Sequence, residues 1–174
     1  MITGRVFKYG PDIDTDAIIP AKYANLTDPQ TLGRHCLENL DPEFARRVRP
    51  GDILMASTNF GCGSSREIAA WSIKGTGAAC VIAVSFARIF FRNSINIALP
   101  VFESLPAVAG TESGDVLRID PSTGSIENLT RNKVFAATRY PSFIRSIIDA
   151  GGLVAHVRSR LNRTPGSNIA NPSA

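Results

Sequence analysis

The chain is predicted to fold as one compact α/β domain around a mixed, partly parallel sheet. Three observations predict it. Residues 53–57 and 79–84 are short apolar runs of strand type, separated by a helical stretch from about residue 66. That is the pattern of a βαβ unit, whose parallel strands are joined by a right-handed crossover. Residues 116–120 and 124–128 flank Pro121-Ser122-Thr123 as two hairpin strands would. Finally, 174 residues with 44% hydrophobic content are ample for a single core.

The remaining elements follow in chain order. Gly4-Arg5-Val6-Phe7-Lys8 is the first predicted strand, and an acidic turn from Asp12 to Asp16 follows it. Residues 28–48 alternate turn signals with helical stretches, chiefly 29–37 and 42–48, each opened by a proline suited to a first helical turn. After the βαβ unit comes a short helix over 86–93, then another apolar run at 97–102. Tyr140-Pro141 opens a last helix that reaches Ala150, where Gly151 and Gly152 stop it. Residues 153–157 are expected to close the sheet, so the domain is expected to span 1–157. The tail, 158–174, is expected to be disordered, because 163–174 is rich in Pro, Asn and Ser. There are no internal repeats.

Composition excludes several function classes. The formal net charge of +4 is modest, and Arg158, Arg160 and Arg163 in the tail solvate a chain end rather than mark a nucleic-acid surface. No apolar run reaches the roughly 18 residues a membrane span needs. Residues 1–5 lack the apolar segment of a secretory signal. Cys36, Cys62 and Cys80 are odd in number and lack paired spacing, which argues against a disulfide framework and a zinc site. A reducing cytoplasm is the expected setting. Asp12, Asp14 and Asp16 alternate like the start of a calcium loop, but Ala17 stands where Gly is required and Tyr23 where a bidentate Glu belongs. No metal ligand is assigned on this chain.

Chemistry concentrates in Asn59-Phe60-Gly61-Cys62-Gly63-Ser64-Ser65-Arg66-Glu67. It joins the strand at 53–57 to the helix that Gly75 and Gly77 end, and its glycines permit a sharp turn close to a ligand. Ser64 and Glu67 have capping-box spacing, which would put Ser64 near the helix N-cap. Two hydroxyls and a guanidinium at a helix start make a site for a carboxylate, or for an oxygen that becomes negative. On spacing alone, structural capping is the better account. Neither a phosphate-cradling Gly-x-x-x-x-Gly-Lys-Ser/Thr nor a Gly-x-Ser-x-Gly elbow is present.

The turn, together with Ser85-Phe86-Ala87-Arg88-Ile89-Phe90-Phe91-Arg92-Asn93 and Asp12-Ile13-Asp14-Thr15-Asp16-Ala17-Ile18-Ile19-Pro20-Ala21, resembles the 3-isopropylmalate dehydratase small-subunit family, a branch of the aconitase family. Asp41-Pro42-Glu43-Phe44, Arg49-Pro50-Gly51-Asp52-Ile53 and 147–153 extend the likeness from about Gly4 to Val157. The resemblance implies a swivelling β/β/α domain like the aconitase C-terminal domain. It also implies a hydro-lyase that isomerises 2-isopropylmalate to 3-isopropylmalate through 2-isopropylmaleate, in leucine biosynthesis. Ser64 is then the catalytic base, as an alkoxide. Ser65 and Arg66 bind the substrate carboxylate, and Thr15 and Asp16 approach the site. A [4Fe-4S] cluster is implied on a separate large subunit, in a heterodimer or heterotetramer, with none on this chain. A helix terminus supplies at most about 2 kcal/mol, roughly 1.5 pKa units, far too little to ionise a serine alone. The remainder must come from Arg66, N–H donors and groups outside this chain.

The same resemblance puts substrate choice in the loop Ala21-Lys22-Tyr23-Ala24-Asn25-Leu26-Thr27. Ala24, Asn25 and Leu26 offer no guanidinium for a third carboxylate, so a small apolar substituent fits better. Lys22 either offers a point charge or packs its stem on Tyr23. Citraconate, dimethylmalate and homoaconitate enzymes stay open as alternatives, as does a non-catalytic carboxylate-binding module. One departure stands out: the family reads Ser-Ser-Arg-Glu-His-Ala, and here Ile68 replaces the His. Its apolar neighbours Ala69, Ala70 and Trp71 favour a packing role. Cys36 and Cys80 are expected to be buried small hydrophobes, and His35 and His156 structural or exposed.

Overall fold

The computed structural model describes residues 1–162. Seven strands, β1 (Ile2–Lys8), β2 (Ile53–Met55), β3 (Cys80–Ala83), β4 (Val101–Glu103), β5 (Val116–Asp120), β6 (Ser125–Asn128) and β7 (Lys133–Ala136), form one sheet. Their order is β4-β3-β2-β1-β5-β6-β7. β1 is the seam: it runs parallel to β2 and antiparallel to β5. On one side β2, β3 and β4 continue in parallel, and on the other β5, β6 and β7 form an antiparallel meander. The predicted βαβ unit and hairpin are both present, and the sheet is mixed as expected.

Strand alternation distributes the core over both faces, because successive side chains point to opposite sides of a sheet. Phe7, Leu54, Val81 and Val101 face one layer, and Val6, Ile53, Met55, Cys80, Ile82 and Phe102 the other. The first layer is covered by helices α1 (Thr15–Ile18), α2 (Pro29–Gly33), α3 (Phe44–Arg47), α4 (Ile68–Gly75) and α5 (Arg88–Asn96), which bring in Ile18, Leu32, Phe44, Ile73 and Phe90. The second is closed by α6 (Leu105–Gly110), through Ala107 and Val108, with Leu117, Ile119 and Ile126 from the meander. Each fully buried Leu, Ile or Phe in these layers contributes roughly 1.5–3 kcal/mol. Cys36 and Cys80 are buried, as expected, but in different layers. Among the described residues no helix is long and apolar enough to cross a membrane.

Helix α7 (Ser142–Asp149) is the predicted last-but-one element, and it packs Ile147 into the first layer. Just before it, the Tyr140 hydroxyl accepts the Val101 N–H at 2.7 Å and donates to the Val101 carbonyl. A side chain thereby occupies backbone groups on the outer edge of β4, and burial pushes the Tyr140 phenol above its ordinary value.

Four expectations need correction. Residues 153–157 do not close the sheet; they begin helix α8 (Leu153–Leu161). Leu153, Val157 and Leu161 repeat every four residues, a helical period that reads as a bare apolar run in a short window. The helix carries Arg158 and Arg160 as well, so order extends past residue 157; the stretch 163–174 lies outside the described residues. The stretches 29–37 and 42–48 are helical only over Pro29–Gly33 and Phe44–Arg47, with turns between. Of the run 97–102, only its end is strand, as β4 starts at Val101. β7 was not anticipated: it is a four-residue edge strand exposed along most of its length, with Phe135 packed against the second layer, and is too short to show an alternation.

Candidate active site

The glycine-rich turn is clamped between two other segments of chain. Asp14 and Cys62 form one parallel bridge, Phe60 and Phe86 another. Gly61 donates its N–H to the Ile13 carbonyl at 2.8 Å, Thr15 to the Cys62 carbonyl at 2.9 Å, and Ala87 to the Phe60 carbonyl at 2.8 Å. Below the turn, Phe60 is fully buried, its ring 6.0 Å from Phe86 and 5.1 Å from Phe90. Gly61 holds a left-handed φ of +78°, and a β-carbon there would meet the Phe90 side chain at 2.2–2.6 Å. Only glycine satisfies both demands. The turn is thus anchored on its apolar underside, while Gly63, Ser64 and Ser65 are exposed above it.

Ser64 is not a helix cap. Helix α4 starts at Ile68, its N-cap is Glu67 in helical conformation, and no side chain caps it. The capping box fails because Ser64 Oγ has other partners: Arg66 donates its Nε–H to it at 2.5 Å, and Thr15 Oγ1 lies 2.9 Å away. Positive charge reaches the serine through the Arg66 guanidinium rather than from the start of α4, two residues further on. Arg66 Nη2 pairs with Asp16 at 2.8 Å, with side chains 23% and 58% exposed respectively. Arg66 Nη1 is buried and finds no hydrogen-bond partner. A donor left unmet this way costs about 1–3 kcal/mol, which an anion reaching it would recover.

Ser64, Arg66 and Asp16 are therefore brought together as the sequence suggested. Thr15 is not positioned as a substrate contact: it is 2% exposed and lies beneath the turn, where its Oγ1 accepts the Ser64 N–H at 3.2 Å. Ser65 is exposed, and its carbonyl accepts the Asn93 amide at 3.4 Å. Beside Ser64 opens a cleft of about 390 Å³, lined by Gly61, Gly63, Ala87, Arg88, Ile89 and Arg92. Arg88 and Arg92 were not singled out as site residues. They stand four apart at the start of α5, a spacing that places two guanidinium groups on one helix face and was the available signal.

The loop after Pro20 divides in two. Ala21–Tyr23 is a turn of 3-10 helix. Lys22 pairs with Glu38 at 2.7 Å and lies 4.8 Å from the Tyr23 ring centre, while Tyr23 stacks on His35 and donates to Glu38. The hydrogen bond that Lys22 donates to the Glu38 carboxylate raises its ammonium above the ordinary pKa. These two side chains are committed to one another. Ala24, Leu26 and Thr27 instead line a depression of about 270 Å³ with Leu32, Glu67, Ile68 and Trp71, adjoining the turn. Asn25 is exposed. Ile68 packs against the first core layer together with Leu26 and Trp71.

The model of the aconitase C-terminal domain matches residues 12–103, from the acidic turn through β4. The chain belongs to the aconitase C-terminal-domain family. Within this family, it is 55% identical over 159 residues to the 3-isopropylmalate dehydratase small subunit of Heliobacterium modesticaldum, covering 91% of this chain and 96% of the relative. It is 53% identical to the protein of the same name from Moorella thermoacetica, over 92% and 97% of the two chains. The crystal structure of 3-isopropylmalate dehydratase from Methanocaldococcus jannaschii superposes with a TM-score of 0.89 at 42% identity, covering 92% of this chain and 95% of that one. An iron–sulfur cluster, where the aconitase family implies one, does not fit this chain's own residues. The three free cysteines do not converge, and among the described residues no three His, Cys, Asp or Glu side chains are grouped to hold a metal. Cluster ligation usually takes several thiolates from one site.

Proposed function

We propose that this chain is the small subunit of a hydro-lyase that interconverts 2-isopropylmalate and 3-isopropylmalate in leucine biosynthesis, with Ser64 as its base. The observation that carries the proposal is the pairing of an exposed serine hydroxyl with the Nε–H of Arg66 at 2.5 Å, at the mouth of an arginine-lined cleft. A charge-assisted donor of this kind stabilises an alkoxide more strongly than a neutral one does. The alkoxide takes the proton from the carbon beside one substrate carboxylate, and hydroxide leaves the neighbouring carbon. Water then returns with the two positions exchanged, so the reaction is redox-neutral. Arg66 and Ser65 hold the carboxylate next to the reacting carbon, and Arg88 and Arg92 draw a diacid into the cleft. Asp16 keeps the Arg66 guanidinium in plane through the 2.8 Å pair.

Substrate choice follows from the neighbouring depression. Ala24, Leu26, Ile68 and Trp71 present apolar surface to it, and Glu67 contributes a carboxylate. That lining suits an isopropyl group and repels the additional carboxylate of a homoaconitate-like substrate. Lys22 and Tyr23 support the loop from behind through Glu38.

Two requirements point outside this chain. An alkoxide is useful only in a dry, preorganised pocket, yet Ser64 is exposed. The departing hydroxide also needs a Lewis acid, the chemistry a [4Fe-4S] cluster on a large subunit supplies. The working enzyme is accordingly a heteromer, a heterodimer or heterotetramer, with its site closed across the subunit boundary. Three reduced cysteines suit a cytoplasmic enzyme.

The test is anaerobic reconstitution with the cognate large subunit, assayed on 2-isopropylmalate, citramalate and homoaconitate in parallel. Turnover of 2-isopropylmalate that falls at least about 1,000-fold in Ser64→Ala is the expected result, in line with loss of a general base and its oxyanion partner. Turnover only of another diacid redirects the substrate. Tight assembly without any turnover would leave a carboxylate-binding scaffold.

A further inference from the structure

The Thr15 hydroxyl has more to do than fill space beneath the turn. It is 2% exposed, and its backbone is held at both ends: the N–H donates to the Cys62 carbonyl at 2.9 Å, and the carbonyl accepts from Ile19 at 3.0 Å. Oγ1 accepts the Ser64 N–H at 3.2 Å and lies 2.9 Å from Ser64 Oγ. A hydroxyl has one hydrogen to give and two lone pairs to offer. With one lone pair taken by the Ser64 N–H, the hydrogen remains free for Ser64 Oγ. While Ser64 is neutral, either hydroxyl can be the donor. Once Ser64 has lost its proton it can only accept, and the direction is decided.

We propose that Thr15 is a positioning residue for the serine base, donating its hydroxyl hydrogen to the Ser64 alkoxide as the second of two donors, opposite Arg66 Nε–H. The inference rests on the reading of Ser64 as the base. An alkoxide oxygen has three lone pairs. Two are met from within the chain, one by Thr15 and one by Arg66, and the third faces the cleft to receive the substrate proton. The accepted N–H fixes the backbone of Ser64 and the donated O–H holds its side chain, so Thr15 grips the serine at two points. Because Thr15 is buried and already satisfied, its donor is in place before the charge forms, which is where preorganised hydrogen bonds are most effective. Of the charged or titratable groups around this site, Arg66 contacts the oxygen directly; Asp16 pairs with Arg66, Asp14 and Cys62 lie on the two clamped segments, and Arg88 and Arg92 of α5 line the cleft beside it.

The experiment compares wild type, Thr15→Ser and Thr15→Val in the reconstituted holoenzyme, reading kcat and KM against pH, with Ser64→Ala run alongside. Thr15→Val keeps the shape and removes the donor. Its kcat should fall about 10- to 100-fold, the loss of one hydrogen bond to a charged group. The limb of the profile that reports the base should move up by about one pH unit or more, KM should stay within about twofold, and Thr15→Ser should restore both rate and profile. Should Thr15→Val fail to assemble with the large subunit, Thr15→Ala is the second donor-free variant and carries the same expectation. A rate loss with an unmoved profile, or a change confined to KM, overturns the proposal. So does full activity in the donor-free variants. If Ser64→Ala itself turns over normally, the base assignment fails first, and that failure is visible independently of any Thr15 result.

Discussion

Two further residues at the turn make separate demands on chemistry and on packing. Arg66 gives Nε–H to Ser64 and Nη2 to Asp16 from one planar fork. A lysine keeps the charge but cannot reproduce two donors at fixed spacing. Arg66→Lys is therefore expected to lose at least about 100-fold in kcat/KM, two charge-assisted bonds being at stake, with an unchanged urea midpoint. Wild-type turnover in that variant would remove Arg66 from the site. Gly61 tests the packing. Alanine at φ +78° costs about 1–2 kcal/mol in backbone strain, and overpacking against Phe90 adds roughly 1–3 kcal/mol. In a cycle with Phe90→Ala the two losses should be non-additive, because the alanine methyl enters the space the ring vacates. Strict additivity in the denaturation midpoints would show that the clash is relieved elsewhere. At this scale the sequence spoke clearly for Ser64, Arg66 and Asp16, since a local motif carries their chemistry. It was silent on the contact from Thr15 to Ser64, which lies between residues far apart in the chain and depends on a hydrogen-bonded crossing of two loops.

At the level of elements, the antiparallel meander is fastened by one buried carboxylate. Asp115 accepts the Glu112 N–H at 2.9 Å, the Asn128 amide at 2.9 Å and Arg131 Nε at 2.6 Å, joining the start of β5 to the end of β6. Burial pushes this carboxyl upward, but the three donors and the Arg131 charge outweigh it and hold the group below the usual carboxylate range. Its folded value lies below the unfolded value of about 3.9. The stability it confers is hence complete above about pH 4 and is lost as pH falls through the lower folded value. Urea denaturation of wild type and Asp115→Asn should show a gap at pH 7 that narrows below about pH 4. A gap of constant size at all pH values would exclude the carboxylate as its source. The β5–β6 hairpin was legible because its turn residues and strand lengths are local properties. β7 and α8 were not: one is an edge strand with exposed side chains, the other a helix whose apolar stripe mimics a strand when only five residues are read.

For the whole molecule, the mixed sheet and the βαβ unit were foreseeable, since two continuous apolar runs separated by a helical stretch admit few topologies. What no run of residues announces is that β1 must satisfy two unlike neighbours. Its parallel partner is β2, at Ile53–Met55, and its antiparallel partner is β5, more than a hundred residues beyond β1 at Val116–Asp120. Synthesis delivers β1 before either partner. A growing polypeptide therefore carries this strand bare on both edges until residues 53–55 emerge, and on one edge until residues 116–120 follow. Pairings across such separations close slowly, so the nascent protein carries an open hydrogen-bonding edge until β5 is made. The newborn chain is vulnerable to sticking to its neighbours for as long as that edge waits.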